Sequence, residues 1–298
     1  MRGVRTAVNK VATPAARTSP GAATPQEPLK ASSARAAGIK PKAAAKATPK
    51  ARQAAAKTAT RSAATTTPST STDEQLQATL QWLRQHSSKA TLAGMARYGL
   101  PSDRALGVTM AHMLQLSKRI GRNRALAAAL WDTGVYEARM VAAMIDDPAQ
   151  VTAAQMDRWC RDFDNWGICD TVCFKLFDRA PHAWAKVVQW SGKRDEFGKR
   201  AAFALLWGLT VHDKQASDAR FIEGLRLIER AATDERHFVM KAVNMALRAT
   251  GKRNRALNTA AVGVARRLAG SSSAAAQWIG KDALRELSSP ALQRRLKA

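Results

Sequence analysis

Two stretches, Arg124-Ala-Leu-Ala-Ala-Ala-Leu-Trp131 and Arg200-Ala-Ala-Phe-Ala-Leu-Leu-Trp207, decide how this chain is read. Each has a basic start, a run of small residues and a closing Leu-Trp. Ala and Leu are strong helix formers, and the apolar positions recur at helical spacing. The two stretches lie 76 residues apart, about twice the length of a HEAT or armadillo repeat. Around them the same periodicity predicts helices over 103–120, 122–132, 135–146, 152–163, 165–178, 181–191, 194–210, 217–232, 234–251, 253–269 and 274–287. The first helix is expected to open on a capping box at Thr72-Asp-Glu-Gln75, and another box is read at Thr152-Ala-Ala-Gln155. Leu76, Leu80 and Leu83 share a face, and Tyr98-Gly99-Leu-Pro101 reads as a helix stop. Short connections and the lack of alternating strand patterns predict an all-α fold of paired helices stacked as a solenoid. An ordinary globular helical domain is the alternative.

Charge narrows the function. The 298 residues carry 48 Lys+Arg against 23 Asp+Glu, a net +25, which points to a polyanionic partner. Residues 1–72 contain 13 basic residues and a single acid, Glu27, leaving +13 for residues 73–298. This Lys/Ala/Pro-rich segment is too poor in apolar residues to offset chain entropy and is expected to be a disordered basic tail. It reads as a solubilising extension, a non-specific DNA contact or a transit peptide. Residues 73–298 form the expected helical domain. No apolar run is long enough for a membrane span, and the three cysteines (Cys160, Cys169, Cys173) suit a reducing compartment.

Lys241, Met245, Arg248, Lys252 and Arg255 are spaced 4, 3, 4 and 3, a single helical stripe if the helix continues past Gly251. Lys118, Arg119, Arg122 and Arg124 form another basic cluster, as do Lys193, Arg194, Lys199 and Arg200. In a solenoid such clusters line one surface, and a concave basic surface fits a duplex backbone. Solvated helix ends are the plainer reading.

The signs of chemistry are few. Cys169 and Cys173 have no second ligand pair at zinc spacing, so buried thiols are expected and no metal or cofactor. Phosphate loops, dinucleotide fingerprints and nucleophile elbows are absent from the sequence. Arg161-Asp-Phe-Asp-Asn-Trp-Gly-Ile-Cys-Asp170 is the most unusual segment. Asp164 or Asn165 can cap the next helix, and Trp166 and Asp170 then share a face at i, i+4. An indole beside a carboxylate suits holding a cation, although a core Trp and a capping Asp explain the same pattern.

Leu-Trp131 with Glu137-Ala-Arg139, Asp164-Asn-Trp-Gly-Ile-Cys-Asp170 and Lys241-Ala-Val-Asn-Met-Ala-Leu-Arg248 together resemble the AlkD-like DNA alkylation repair glycosylases, over roughly residues 75–290. The resemblance implies a HEAT-like α-solenoid that cradles duplex DNA. It also implies excision of cationic alkylated purines such as N3-methyladenine and N7-methylguanine without flipping the base into a pocket. Asp170 matches the family's catalytic Asp and Trp166 its first aromatic. Arg200 is similar to a family Arg that contacts DNA. With the cluster residues, the expected DNA-binding set is Arg200, Lys199, Lys241, Met245, Arg248, Lys252 and Arg122. Met245 departs from the family, which commonly has a second Trp there. The protein is expected to act as a monomer in the cytoplasm, at the nucleoid. Two alternatives stand beside excision: a DNA-binding member of the fold with weak or no activity, and a HEAT-type protein scaffold.

Overall fold

The computed structural model describes residues 71–100 and 103–296. The basic tail lies outside these residues, except that Ser71 and Thr72 open the first helix. Among the described residues there is no strand, and no helix is long and apolar enough to cross a membrane.

The helices are α1 (Thr72–Gln85), α2 (Lys89–Arg97), α3 (Met110–Ile120), α4 (Arg124–Asp132), α5 (Tyr136–Ile145), α6 (Ala153–Arg161), α7 (Trp166–Lys175), α8 (Ala183–Ser191), α9 (Glu196–His212), α10 (Asp218–Ala231), α11 (His237–Gly251), α12 (Arg255–Ala269), α13 (Ala274–Leu287) and α14 (Pro290–Arg295). From α5 on, alternate helices pack in sequence: α5 on α7, α7 on α9, α9 on α11 and α11 on α13. The intervening helices α4, α8 and α12 cover α5, α9 and α13 from a second layer, where α8 meets α10 and α10 meets α12. This is the stacked pairing expected of a solenoid. α9 runs through the middle, with residues from Gly198 to Thr210 buried around most of its circumference. Its small residues Ala201, Ala202 and Ala204 permit that close approach.

The echo that suggested the repeat is out of phase. Arg124 opens α4 in the covering layer, whereas Arg200 lies inside α9 in the other layer. The repeat is carried instead by Trp131, Trp159 and Trp190, near the ends of α4, α6 and α8 and about 30 residues apart. Trp131 and Trp159 stack at 3.9 Å, and Phe177 lies 6.1 Å from both Trp159 and Trp190.

Four local expectations need correction. The first capping box lies one residue earlier, between Ser71 and Glu74. The first helical stretch is broken at residues 86–88, where Ser88 caps α2. Residues 103–109 are not helical, because the fully buried Glu137 carboxylate accepts the backbone N–H groups of Leu106, Gly107 and Val108. Those three bonds hold the segment open, and Thr109 then caps α3. Gly107 sits at φ +77°, and a Cβ there would lie 2.4 Å from the Ser88 carbonyl oxygen. Thr152 does cap α6, but the Gln155 side chain reaches Asp146 and leaves the box open.

Candidate functional site

Asn165 caps α7, its side-chain oxygen accepting the Ile168 N–H at 2.9 Å. That cap fixes Trp166 as the first residue of α7 and Asp170 one turn later. Trp166 is half-buried, and its indole N–H donates to the Tyr98 carbonyl at 2.8 Å. Gly167 permits the loop to come this close, since a Cβ there would meet the Tyr136 hydroxyl at 2.6 Å and Leu100 at 3.0 Å.

Asp170 faces α9. Arg200 donates from Nε to Oδ1 at 2.9 Å and from Nη2 to Oδ2 at 2.7 Å, a fork-to-fork pair. Its Nη1 donates to the Phe238 carbonyl on α11 at 2.8 Å. Burial works against the guanidinium charge, but Asp170 outweighs it and raises the Arg200 pKa further. One arginine thus ties together three successive helices of one layer. The Arg200 side chain is 5 % exposed and that of Asp170 17 %, so the carboxylate keeps an open edge while the arginine does not. Phe197 and Phe238, both half-buried, lie 5.3 Å apart, and Arg200 sits 5.9 Å from the Phe238 ring. His237, next to Phe238, has its pKa lowered by burial and then by Lys241 and Arg200.

The expected DNA contacts divide. Arg200 is turned inward, and all its nitrogens donate within the protein, so it positions Asp170 rather than presenting itself to a ligand. Lys199 donates to Asp234 at 2.9 Å. Lys241 lies 4.3 Å from the Trp278 ring, and Met245 is half-buried on α11. Arg248 pairs with Glu286 and with Asp282, and Lys252 with Glu286 at 2.9 Å. Arg122 donates to the Met144 and Asp146 carbonyls. The stripe also stops short of Arg255, because α11 ends at Gly251 and Asn254 begins a new cap. Half of its cations are therefore neutralised by α13, a helix the spacing argument did not consult.

Phe197, Phe238 and the Tyr98 carbonyl were not singled out beforehand. Phe197 and Phe238 each precede a singled-out cation (Arg200, Lys241) by three residues, one helical turn. The thiols are buried, with the Cys160 pKa pushed up to about 12 and that of Cys173 well above its usual range, chiefly by burial. They are unsuited to nucleophilic work.

A model of the DNA alkylation repair enzyme family matches residues 79–287. A solved structure described as "a new family of proteins related to the HEAT-like repeat DNA glycosylases with affinity for branched DNA structures" is similar to this chain, with a TM-score of 0.59 and 22 % identity over 64 % of this chain and 82 % of that one. At that identity the likeness carries the fold, a HEAT-like repeat of paired helices. Comparison with curated proteins gives no match.

Proposed function

We propose that this chain, which belongs to the DNA alkylation repair enzyme family, is a DNA glycosylase that releases cationic alkylated purines of the N3-methyladenine and N7-methylguanine type from duplex DNA. The observation that carries the reading is the Asp170 carboxylate, fixed on both oxygens by a buried arginine while its side chain stays partly exposed one helical turn after Trp166. A carboxylate held in that way suits charge that develops at a fixed place. It loses little reorganisation energy when the charge arrives.

The lesion sets the mechanism. An alkylated purine carries positive charge, so the base leaves with the electron pair of the C1′–N bond and becomes neutral. No general acid is required. The sugar left behind is oxocarbenium-like, and Asp170 stabilises it while Trp166 offers an indole face to the same cation. A water oxygen then bonds to C1′, and its proton passes to Asp170 or to solvent. Arg200 positions the carboxylate.

The cleft of about 680 Å³ around Trp207, Arg253 and Arg295 and the one of about 400 Å³ around Asp178 and His212 are lined by residues other than Asp170 and Trp166.

Full-length protein incubated with duplex DNA containing N7-methylguanine should release free base, and Asp170→Asn should slow release by about 10²–10³-fold. Equal release from the variant removes the proposed centre. Met245 favours a second reading, DNA binding without excision. Salt-sensitive binding with no released base from the wild type would select it.

A further inference from the structure

At the other end of the described chain α1 and α3 bring four side chains together. The Trp82 ring stacks on His86 at 3.6 Å and 18°, the His86 ring lies 5.1 Å from His112, and the Arg119 guanidinium sits 5.9 Å from the Trp82 ring. His86 Nδ1 lies 2.8 Å from the Trp82 carbonyl, which can only accept, so the ring proton is on Nδ1. Neutral His86 therefore presents a bare lone pair at Nε2, which repels an anion. Protonated, it presents a donor. The Nδ1 nitrogen of His112 is buried and makes no hydrogen bond.

The surrounding charge is one-sided. Arg84, Lys89, Lys118 and Arg119 are exposed. The acids of the elements packed here are engaged elsewhere: Glu74 with the Ser71 N–H, Asp132 with Arg158, and Glu137 with three backbone N–H groups. Asp73 is in the first turn of α1, more than two turns before His86. Of the remaining charges on α4 and α5, Arg124 lies near Asp146, and Arg139 donates to the Trp131 and Asp162 carbonyls. Protonated imidazoles add positive charge to a surface that already carries Arg119 against the Trp82 ring, and an anion is the ligand complementary to it.

We propose that Trp82, His86, His112 and Arg119 form a proton-linked contact for the phosphate backbone of DNA, separate from the Asp170 site. Binding takes up protons, because the one N–H of neutral His86 is committed to the Trp82 carbonyl and only the charged ring offers a second donor. The proposal rests on the reading of the protein as DNA-binding. It adds an element of control: imidazole changes charge between about pH 5 and 8, whereas Lys and Arg do not.

The test is the affinity of the full chain for an unmodified duplex, by fluorescence anisotropy at constant ionic strength. Between about pH 7.5 and pH 5.5 the wild type should bind on the order of tenfold tighter. His86→Gln/His112→Gln should flatten that profile. His86→Lys, charged throughout, should bind at the higher pH as the wild type does at the lower. Arg119→Gln should weaken binding at both and lower the slope of log K against log salt by about one. A double variant with the wild-type pH profile overturns the proposal while leaving DNA binding intact. Absence of DNA binding at every pH overturns both readings. Inorganic phosphate that removes the pH-dependent part at matched ionic strength assigns the cluster to the free ion instead.

Discussion

Trp131, Trp159 and Trp190 lie near the ends of α4, α6 and α8 and are at most 1 % exposed, whereas Trp166 opens α7 and is half-buried. The first three recur about every 30 residues, and two of them donate to carboxylates: Trp131 to Asp162 at 2.7 Å and Trp190 to Asp157 at 2.9 Å. Trp166 falls outside that period and donates to a loop carbonyl. The aspartates divide in the same way. Asp157 and Asp162 serve indoles in the covering layer, while Asp170 takes both donors of a buried arginine and keeps an open edge. Identical residue types are thus sorted by helix layer into those that hold the repeat together and those left to meet a ligand.

The largest effect expected from that division is on stability. Trp159→Ala empties a site between Trp131 and Phe177 and should cost about 3–5 kcal/mol, measured by urea unfolding. Trp166→Ala loses a single neutral hydrogen bond and partial burial, so about 1 kcal/mol is expected. Its base release should nevertheless fall about tenfold or more, as the indole face beside the sugar is lost. Comparable destabilisation by the two substitutions would break the comparison.

Met245→Trp sharpens it. Arg200 already ties α7 and α9 to α11, the helix that carries Met245. Restoring an aromatic face on that helix should raise base release by about tenfold, with little change in duplex affinity. Unchanged release would mean that the half-buried Met245 does not reach the reacting sugar.

Helix class and most boundaries were legible because caps and apolar spacing act within a turn or two. Asn165, one of the two caps expected, caps α7, and the helices expected from 122 and 253 begin two residues later, behind caps at Asn123 and Asn254. What failed depends on residues far along the chain. The 103–109 segment reads as helix until Glu137, about 30 residues on, claims its N–H groups. The Arg124/Arg200 echo matched composition across two different layers, while the true repeat was three tryptophans in less similar helices. At the site, the Trp166–Asp170 spacing was visible. The inward turn of Arg200 was not, because it requires knowing that α7 and α11 flank α9.

The charge stripe stops before Arg255 and has acidic partners that its spacing did not show, and it supplies the smallest effect. Arg248 and Lys252 share Glu286, which α13 brings across from 34 to 38 residues away. Burial pushes the Glu286 carboxyl up, but Lys252 and Arg248 outweigh it, and the folded pKa lies below the ordinary glutamate value. A depressed carboxyl contributes stability that is fully present above the unfolded pKa and lost as pH falls through the folded one. Arg248→Gln should therefore reduce stability by well under about 1 kcal/mol at neutral pH, as for a partly exposed pair. The difference from wild type should vanish in acid, once Glu286 is protonated in both. Because Arg248 is already committed to carboxylates, the same variant should leave the salt slope of DNA binding almost unchanged, whereas Arg119→Gln should lower it by about one. A full unit lost on removing Arg248 would mean that DNA displaces Glu286 and Asp282 from the guanidinium, restoring the α11 stripe to the interface.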